Sequence, residues 1–595
     1  MKNTPPLSFR QTYSLGLDSK ILLTSVFGPY AQDDEYGSRK INPMELYHNQ
    51  VTRVQGPFSL RMFHRSWGLM LIQANISAPC TLLDFPELQR FIDEIKDNEY
   101  DVVGISGILP NLQKVKVMCD LIREHLPKAV IVVGGHIANV PDLSERIDAD
   151  IIAKGEGVRF FRELLGDDID APLRHPLIQS STGARTVGTW LSNKSKNVAA
   201  TVIPSVGCPL GCNFCSTSAM FGGKGKFINF YNSGDELFDI MCQIEKKMKV
   251  KSFFIMDENF LLHQKRALRL LELMKKHDKA WSLNVFSSAS VLRKYTMEQL
   301  VDLGISWVWM GLEGEESSYD KLNGIDTMAL VKEFNAYGIK ILGSSIIGLE
   351  NHTPDNIDAV IDYAVKYNTD FHQFMLYTPV PGTPLHKELS SKGLMKTESE
   401  FPTSDTHGQL AFNYYHPHIK NGEETEFLIR AFEQDFKQNG PSILRIARTT
   451  LNGWLKFKNH PDKRVARRYA WESRQLSLVY PAIIAASKKY YKNNTLIYNM
   501  LSELLNDIQL EFGLKSKIAA KLFSPIIFRR IKKEEKLLAN GKTYEPRTFY
   551  ERNFTSSINN KAKLAHSVVA SNQTEFTSLP KKDISPFPVA AITEA

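Results

Sequence analysis

Apolar residues recur in two alternating rhythms along the first 170 positions. Short unbroken runs, Ile21–Phe27, Asp101–Ser106, Ala129–Val133 and Ile151–Ala153, read as buried strands, and each closes at or near a glycine. Between them Phe85–Ile95, Asn111–His125 and Val158–Leu165 keep helical spacing; in the first, Leu88, Phe91, Ile92 and Ile95 share one face. Residues 30–80 are polar, aromatic and irregular and carry no assignable period. Strands alternating with helices predict an α/β fold with a parallel, doubly wound sheet covered on both faces. Ligands of such sheets sit beyond the carboxyl ends of the strands. The informative loops are therefore Ser106-Gly107-Ile108-Leu109 and Gly134-Gly135-His136-Ile137.

A second alternation begins near Thr201 and runs to about residue 390. Its expected strands are Ala200–Ile203, Phe253–Met256, Ser282–Phe286, Trp307–Gly311, Ile339–Ser344 and Phe371–Tyr377. Helices are expected over Asp235–Lys247, Gln264–Lys276, Thr296–Leu303 and Thr353–Lys366. Six strand–helix units in this order suit a partial (β/α)6 barrel, whose reactive groups belong at the carboxyl ends of its strands. Residues 420–540 read as several helices rich in Lys, Arg, Leu and aromatics. Residues 555–595 are polar with few large apolar groups, which predicts a disordered tail. The expected division is 1–175, Rossmann-like (flavodoxin-like); 195–395, partial barrel; 396–550, helical; 551–595, tail.

Length and composition narrow the class. A chain of 595 residues suits about three or four domains. Hydrophobic content of 43% and charged content of 23% are those of an ordinary globular protein. Six cysteines in so long a chain do not make a disulfide scaffold, and a reduced, cytoplasmic setting is expected. The start, Met1-Lys2-Asn3-Thr4-Pro5-Pro6, lacks the apolar core of a signal peptide, and no run of about 18 apolar residues predicts a membrane span. The net charge of +8 gathers late, in Lys463-Arg464, Arg467-Arg468, Arg529-Arg530 and Lys532-Lys533. Such runs read first as solvated helix faces, and second as contacts for anionic lipid or nucleic acid; for the chain as a whole no nucleic-acid partner is expected.

The chemistry concentrates in Val206-Gly-Cys-Pro-Leu-Gly-Cys-Asn-Phe-Cys-Ser216. Cys208, Cys212 and Cys215 supply three thiolates, whereas a 4Fe–4S cluster usually takes four. Three leave one iron open to a ligand that is not protein. A structural zinc site needs four ligands, typically from two paired motifs, and no second pair is present. The CxxxCxxC spacing, with an aromatic residue before the last cysteine, resembles the signature of the radical S-adenosylmethionine (radical SAM) superfamily. That resemblance implies a 4Fe–4S cluster on the three cysteines, with S-adenosylmethionine chelating the open iron. It implies that Phe214 lies near the adenine, that Asp257 or Glu258 accepts from the ammonium group, that Glu313 binds the methionyl or ribose end, and that Ser288 is a ribose contact. Gly314 stands where the family usually has Ser.

The earlier stretch resembles the cobalamin-binding domain that precedes many radical SAM domains. The matching residues are Val103-Gly-Ile-Ser106, Pro127, Val133-Gly-Gly-His136, Pro141, Asp150 and Gly155-Glu-Gly157. The resemblance implies cobalamin at Ser106, Gly107, Gly134, Gly135 and His136. Glycines there would let the backbone approach a large flat ligand. Many cobalamin domains carry DxHxxG after the first strand. Here Gly28–Gly37 holds no His, so cobalt would lack that lower ligand.

Together the two resemblances imply reductive cleavage of S-adenosylmethionine to a 5′-deoxyadenosyl radical, hydrogen abstraction, and methyl transfer to an unactivated carbon of a lipid or natural-product-like substrate. An external one-electron reductant of flavodoxin or ferredoxin type is the implied partner, and peripheral membrane contact is open. Rearrangement, cyclisation or oxidation without methyl transfer is the alternative chemistry; a non-catalytic cobalamin-binding module is the alternative class. Methylthiotransfer to RNA would require a second cluster, for which Cys80, Cys119 and Cys242 are too scattered.

Overall fold

A computed structural model of the chain describes residues 15–31, 34–36, 52–192, 194, 197–312 and 326–553. The sequence expectations for Glu313, Gly314 and the tail beyond residue 553 lie outside the described residues.

Five parallel strands form the first sheet: Ile21–Ser25 (β1), Cys80–Asp84 (β2), Val102–Ser106 (β3), Val130–Gly134 (β4) and Ile151–Ile152 (β5). Their order is β2-β1-β3-β4-β5, so the winding direction reverses between β1 and β3. Register aligns Ser25 with Ser106 and Ser106 with Gly134, which brings three strand ends level at one rim. Ile21, Leu22 and Leu23 are fully buried, as a strand covered on both faces requires. Helix Leu112–His125 (α1) lies on one face over Val103, Ile105, Ile131 and Val133; helices Trp67–Asn75 and Gly157–Leu165 cover the other.

The second sheet holds Ile178–Gln179 (β6), Ala200–Val202 (β7), Ser252–Ile255 (β8), Ser282–Phe286 (β9), Ile305–Gly311 (β10), Lys340–Ile347 (β11) and Phe371–Leu376 (β12). Strands β7 to β12 are parallel and follow one another in sequence order, while β6 is an antiparallel edge beside β7. This is the expected partial barrel. Its crossover helices begin where the sequence marks them: Ser233 and Thr296 each form a capping box with the residue three places on. Helix Gln264–Lys276 (α2) crosses from β8 to β9. Ile178 and Ile203 of this unit share a core with Ile21, Leu23 and Val130 of the first, so the two units pack together.

Two expectations change. First, the region after residue 396 is not only helical. Strand Phe549–Asn553 (β13) returns to the first sheet and pairs antiparallel with β2, so a boundary at 550 would cut through it. Second, the basic runs Lys463-Arg464 and Arg467-Arg468 are only half a solvated face: Lys463 and Arg467 are exposed, as are Arg529-Arg530 and Lys532-Lys533, but the other two arginines turn inward. Arg464 and Arg468 are buried; Arg468 donates to the backbone carbonyls of Ile305 (3.4 Å) and Val301 (3.2 Å) and pairs with Glu472 (2.9 Å). Glu472 also meets Lys340. These charges plug the amino end of the barrel. Among the described residues, no helix is long and apolar enough to cross a membrane.

Candidate functional site

The cysteine loop leaves the end of β7. The short hairpin of Ser205–Val206 with Ile228–Asn229 closes its base. Two glycines let it fold tightly. Gly207 (φ +86°) would place a Cβ 2.7 Å from Phe221, and Gly211 (φ +68°) would place one 2.6 Å from the Lys224 backbone. The short helix Ser216–Met220 (α3) starts at the third cysteine. Cys215 Sγ accepts from the Ser218 backbone N–H (3.4 Å), and Ser218 Oγ donates to the Cys208 carbonyl (2.9 Å), so the loop is laced across its own ligand positions. Outside tethers fix it as well. The Leu385 N–H, at the start of helix Pro384–Ser391 (α4), donates to the Asn213 carbonyl (3.0 Å), and Asn213 Nδ2 donates to the Tyr377 hydroxyl (3.3 Å). Phe214 packs edge-on against Tyr377 with ring centres 5.9 Å apart.

All three thiols are partly accessible and unbridged. Burial pushes the Cys208 thiol up to about 11 and raises Cys215; the neighbouring thiols and the Glu258 carboxylate act in the same direction. Three thiols and one carboxylate within electrostatic reach of one another form a donor set suited to a cationic iron–sulfur cluster, whose charge would release the thiol protons. Among the described residues, no three His, Cys, Asp or Glu side chains are gathered tightly enough for a single metal ion.

The two carboxylates after β8 are not equivalent. Asp257 is buried and fully engaged: its Oδ1 accepts from the Asn259 N–H (3.1 Å), and its Oδ2 from Ser205 Oγ (2.6 Å) and Arg266 of α2 (2.5 Å). Glu258 is half-buried, and among the described residues no hydrogen bond or ion pair engages its carboxylate; burial and the charge of Asp257 raise its pKa to about 7. Ser288 is buried and accepts from Asn259 Nδ2 (3.4 Å), with Ser287 donating to the same side chain (3.0 Å). Both hydroxyls therefore brace the loop after β8 from the end of β9.

At the first sheet, the Ser106–Gly107 and Gly134–His136 loops lock onto each other. Gly107 N–H donates to the Gly134 carbonyl (3.0 Å), and Ile137 N–H to the Gly107 carbonyl (3.1 Å). Gly135 (φ +85°) would place a Cβ 2.6 Å from the Gly107 carbonyl oxygen and 3.0 Å from Ser106 Oγ. Its glycine identity thus serves loop-to-loop contact. Glu156 of Gly155-Glu-Gly157 caps its helix by accepting from the Val158 and Arg159 N–H groups. Gly157 would strike Ile72 at 2.6 Å, so that motif is a packing device. His136 is exposed, and desolvation lowers its pKa.

The two mouths meet. Helix α3 packs on the turn His136–Asn139, and the Gly382 turn closes on Asn139, whose carbonyl oxygen would lie 2.6 Å from an added Cβ. Asn139 Nδ2 is buried beside this junction without a hydrogen-bond partner. A flat cofactor on the first rim and a cluster on the second would be neighbours. Sequence reasoning missed Asn213, Arg266, Tyr377 and Lys114. Lys114 is a buried amine on α1 that donates to the carbonyls of Phe27 and Pro29 and pairs with Asp34 (2.6 Å). It fastens the loop in which many cobalamin domains carry their histidine.

Sequence comparison finds a known family in each of the two units. Residues 66–165 match the B12 binding domain family, and residues 202–364 match the radical SAM superfamily. The chain is 25% identical over 384 residues to the bacteriochlorophyllide d C-8(2)-methyltransferase of Chlorobaculum tepidum, covering 60% of this chain and 82% of that protein. It is 22% identical over 311 residues to the hopanoid C-2 methylase of Rhodopseudomonas palustris, covering 49% and 58%. The solved radical SAM methyltransferase TsrM from Kitasatospora setae, with cobalamin and a [4Fe-4S] cluster bound, superposes with a TM-score of 0.48 at 15% identity, covering 77% of this chain and 99% of that one. The chain joins a B12-binding domain to a radical SAM domain, and its cofactors are cobalamin, a 4Fe–4S cluster and S-adenosylmethionine.

Proposed function

We propose that this chain, a radical SAM enzyme carrying a B12-binding domain, methylates an unactivated carbon of a small, largely apolar substrate of lipid or pigment class. The observation that carries the reading is the junction of the two rims: α3, which starts at Cys215, packs against His136–Asn139. Bound there, the cofactors supply hydrogen abstraction from carbon and a transferable methyl group.

The protein's part is placement and exclusion of water. Cys208, Cys212 and Cys215 hold the cluster and leave one corner for S-adenosylmethionine. Glu258, rather than the fully engaged Asp257, accepts from its ammonium group. Asp257 and Arg266 position the Glu258 backbone, and Ser287 and Ser288 hold that loop from behind. Phe214, backed by Tyr377, walls the adenine side. Ser106, Gly107, Gly134, Gly135 and His136 line the cobalamin rim. The named activities of two relatives, on a bacteriochlorophyllide and a hopanoid, support an extended apolar substrate for this chain. A flavodoxin- or ferredoxin-type protein supplies the electron.

The test is anaerobic turnover with methyl-deuterated S-adenosylmethionine and candidate apolar substrates. Labelled methyl in the product, alongside 5′-deoxyadenosine, is the expected result. 5′-Deoxyadenosine with an unlabelled product would replace methylation with rearrangement or oxidation.

A further inference from the structure

Helix Thr495–Ala539 (α5) carries an apolar stripe on its outer face. After Gly513, whose φ of 59° and ψ of −142° kink the helix, Leu514, Ile518, Leu522 and Ile526 recur every four residues. They are 72%, 46%, 60% and 49% exposed. Ser516, Ala519, Ala520 and Ile531 turn the opposite face into the protein, so the stripe is not a misplaced core face. Elsewhere among the described residues, exposed large apolar side chains come singly or in short clusters, such as Leu17, Ile169 and Leu177. Lys515, Lys517, Lys521 and Arg529 flank the stripe and are all exposed. No ion pair among the described residues engages them.

We propose that this stripe docks the protein on an anionic lipid bilayer, with α5 lying in the interface plane. Leu514 to Ile526 spans about 18 Å at 1.5 Å per residue, a length suited to shallow insertion parallel to the surface. The charge pattern decides the occupant. A second copy packed stripe to stripe would press the flanking lysines of both chains together. A bilayer instead offers hydrocarbon to the leucines and phosphates to the lysines. Glu534 anchors the far end of the helix: it pairs with Arg185 (2.5 Å) and Arg61 (3.7 Å) of the first half of the chain, so docking would orient the whole molecule. The surface lies outside the cofactor site, and the proposal stands independently of the reaction.

The test is co-sedimentation of the full, cofactor-loaded protein with phosphatidylcholine vesicles, alone and mixed with phosphatidylglycerol, at low and high salt. Binding to the mixed vesicles that weakens with salt is expected. Replacing Lys515, Lys517 and Lys521 together by Gln should weaken it on the order of a hundred-fold, since each lysine near an anionic surface contributes about a fivefold step. The variant L514S/I518S/L522S should stay in the supernatant while still cleaving S-adenosylmethionine at the native rate. Native protein that ignores anionic vesicles would overturn the proposal. So would a native dimer in solution that the serine variant converts to monomer, because a second copy would then be what covers the stripe.

Discussion

The two parallel sheets end in rims of different kinds. In the first, strand order reverses between β1 and β3, and the site is made by backbone: level strand ends at Ser25, Ser106 and Gly134, with glycines that allow two loops to interlock. In the second, strand order never reverses, and the site is made by side chains on loops at the strand ends, with thiols after β7 and carboxylates after β8. The difference suits the ligands proposed for each. A large preformed cofactor is recognised by shape, whereas an iron–sulfur cluster is recognised by ligand bonds. Damage to one rim should therefore leave the other's cofactor in place, and the contrast can be broken or sharpened at four points.

The largest effect belongs to Cys212→Ala. Cleavage of S-adenosylmethionine should fall to background while cobalamin still co-purifies; loss of both cofactors would mean that the rims are interdependent. Next comes Arg266→Met, which strands the buried Asp257 charge. It should lower stability by about 3–5 kcal/mol in denaturant unfolding, far more than an exposed arginine replaced on the same helix. Gly135→Ala is smaller: strain at positive φ and the close Gly107 carbonyl should cost about 1–3 kcal/mol. Cobalamin retention through gel filtration should fall while iron content is kept. The smallest effect is electrostatic. Burial and Asp257 raise Glu258 to about 7, above its unfolded value. A raised carboxylate adds stability below its unfolded pKa and loses it as pH rises through about 7. Cofactor-free protein should thus melt lower at pH 8 than at pH 6, and Glu258→Gln should flatten that slope. In the loaded enzyme the same variant should weaken S-adenosylmethionine binding most above pH 7, where the native carboxylate is charged.

These contrasts also explain what could be read from sequence. Strands β1, β3, β4 and β9 and helix α2 fall within two residues of expectation, because unbroken apolar runs and helical spacing are local signals. Strand β2, Cys-Thr-Leu-Leu-Asp, is short and went unassigned between the irregular stretch 30–80 and the expected helix from Phe85, and its place is set by pairing with β1. Strand β13, Phe-Tyr-Glu-Arg-Asn, has an ordinary surface composition; only its ladder with β2 makes it a strand. The gathering of Cys208, Cys212 and Cys215 in one loop was legible because the three are close in sequence. The unequal roles of Asp257 and Glu258 were not, since they depend on Arg266, nine residues away on a crossing helix. Arg468 and Glu472 did carry a local hint, an oppositely charged pair one helical turn apart, but nothing local says that the pair faces inward.

The return of β13 to the first sheet reverses the order in which the molecule is made and the order in which it is finished. The cobalamin lobe is synthesised first, yet β2 keeps an open edge, ready to pair with any stray strand, until the residues through Asn553 have left the ribosome. Cellular quality control would therefore find the earliest-translated part of this enzyme to be the last to become safe from aggregation.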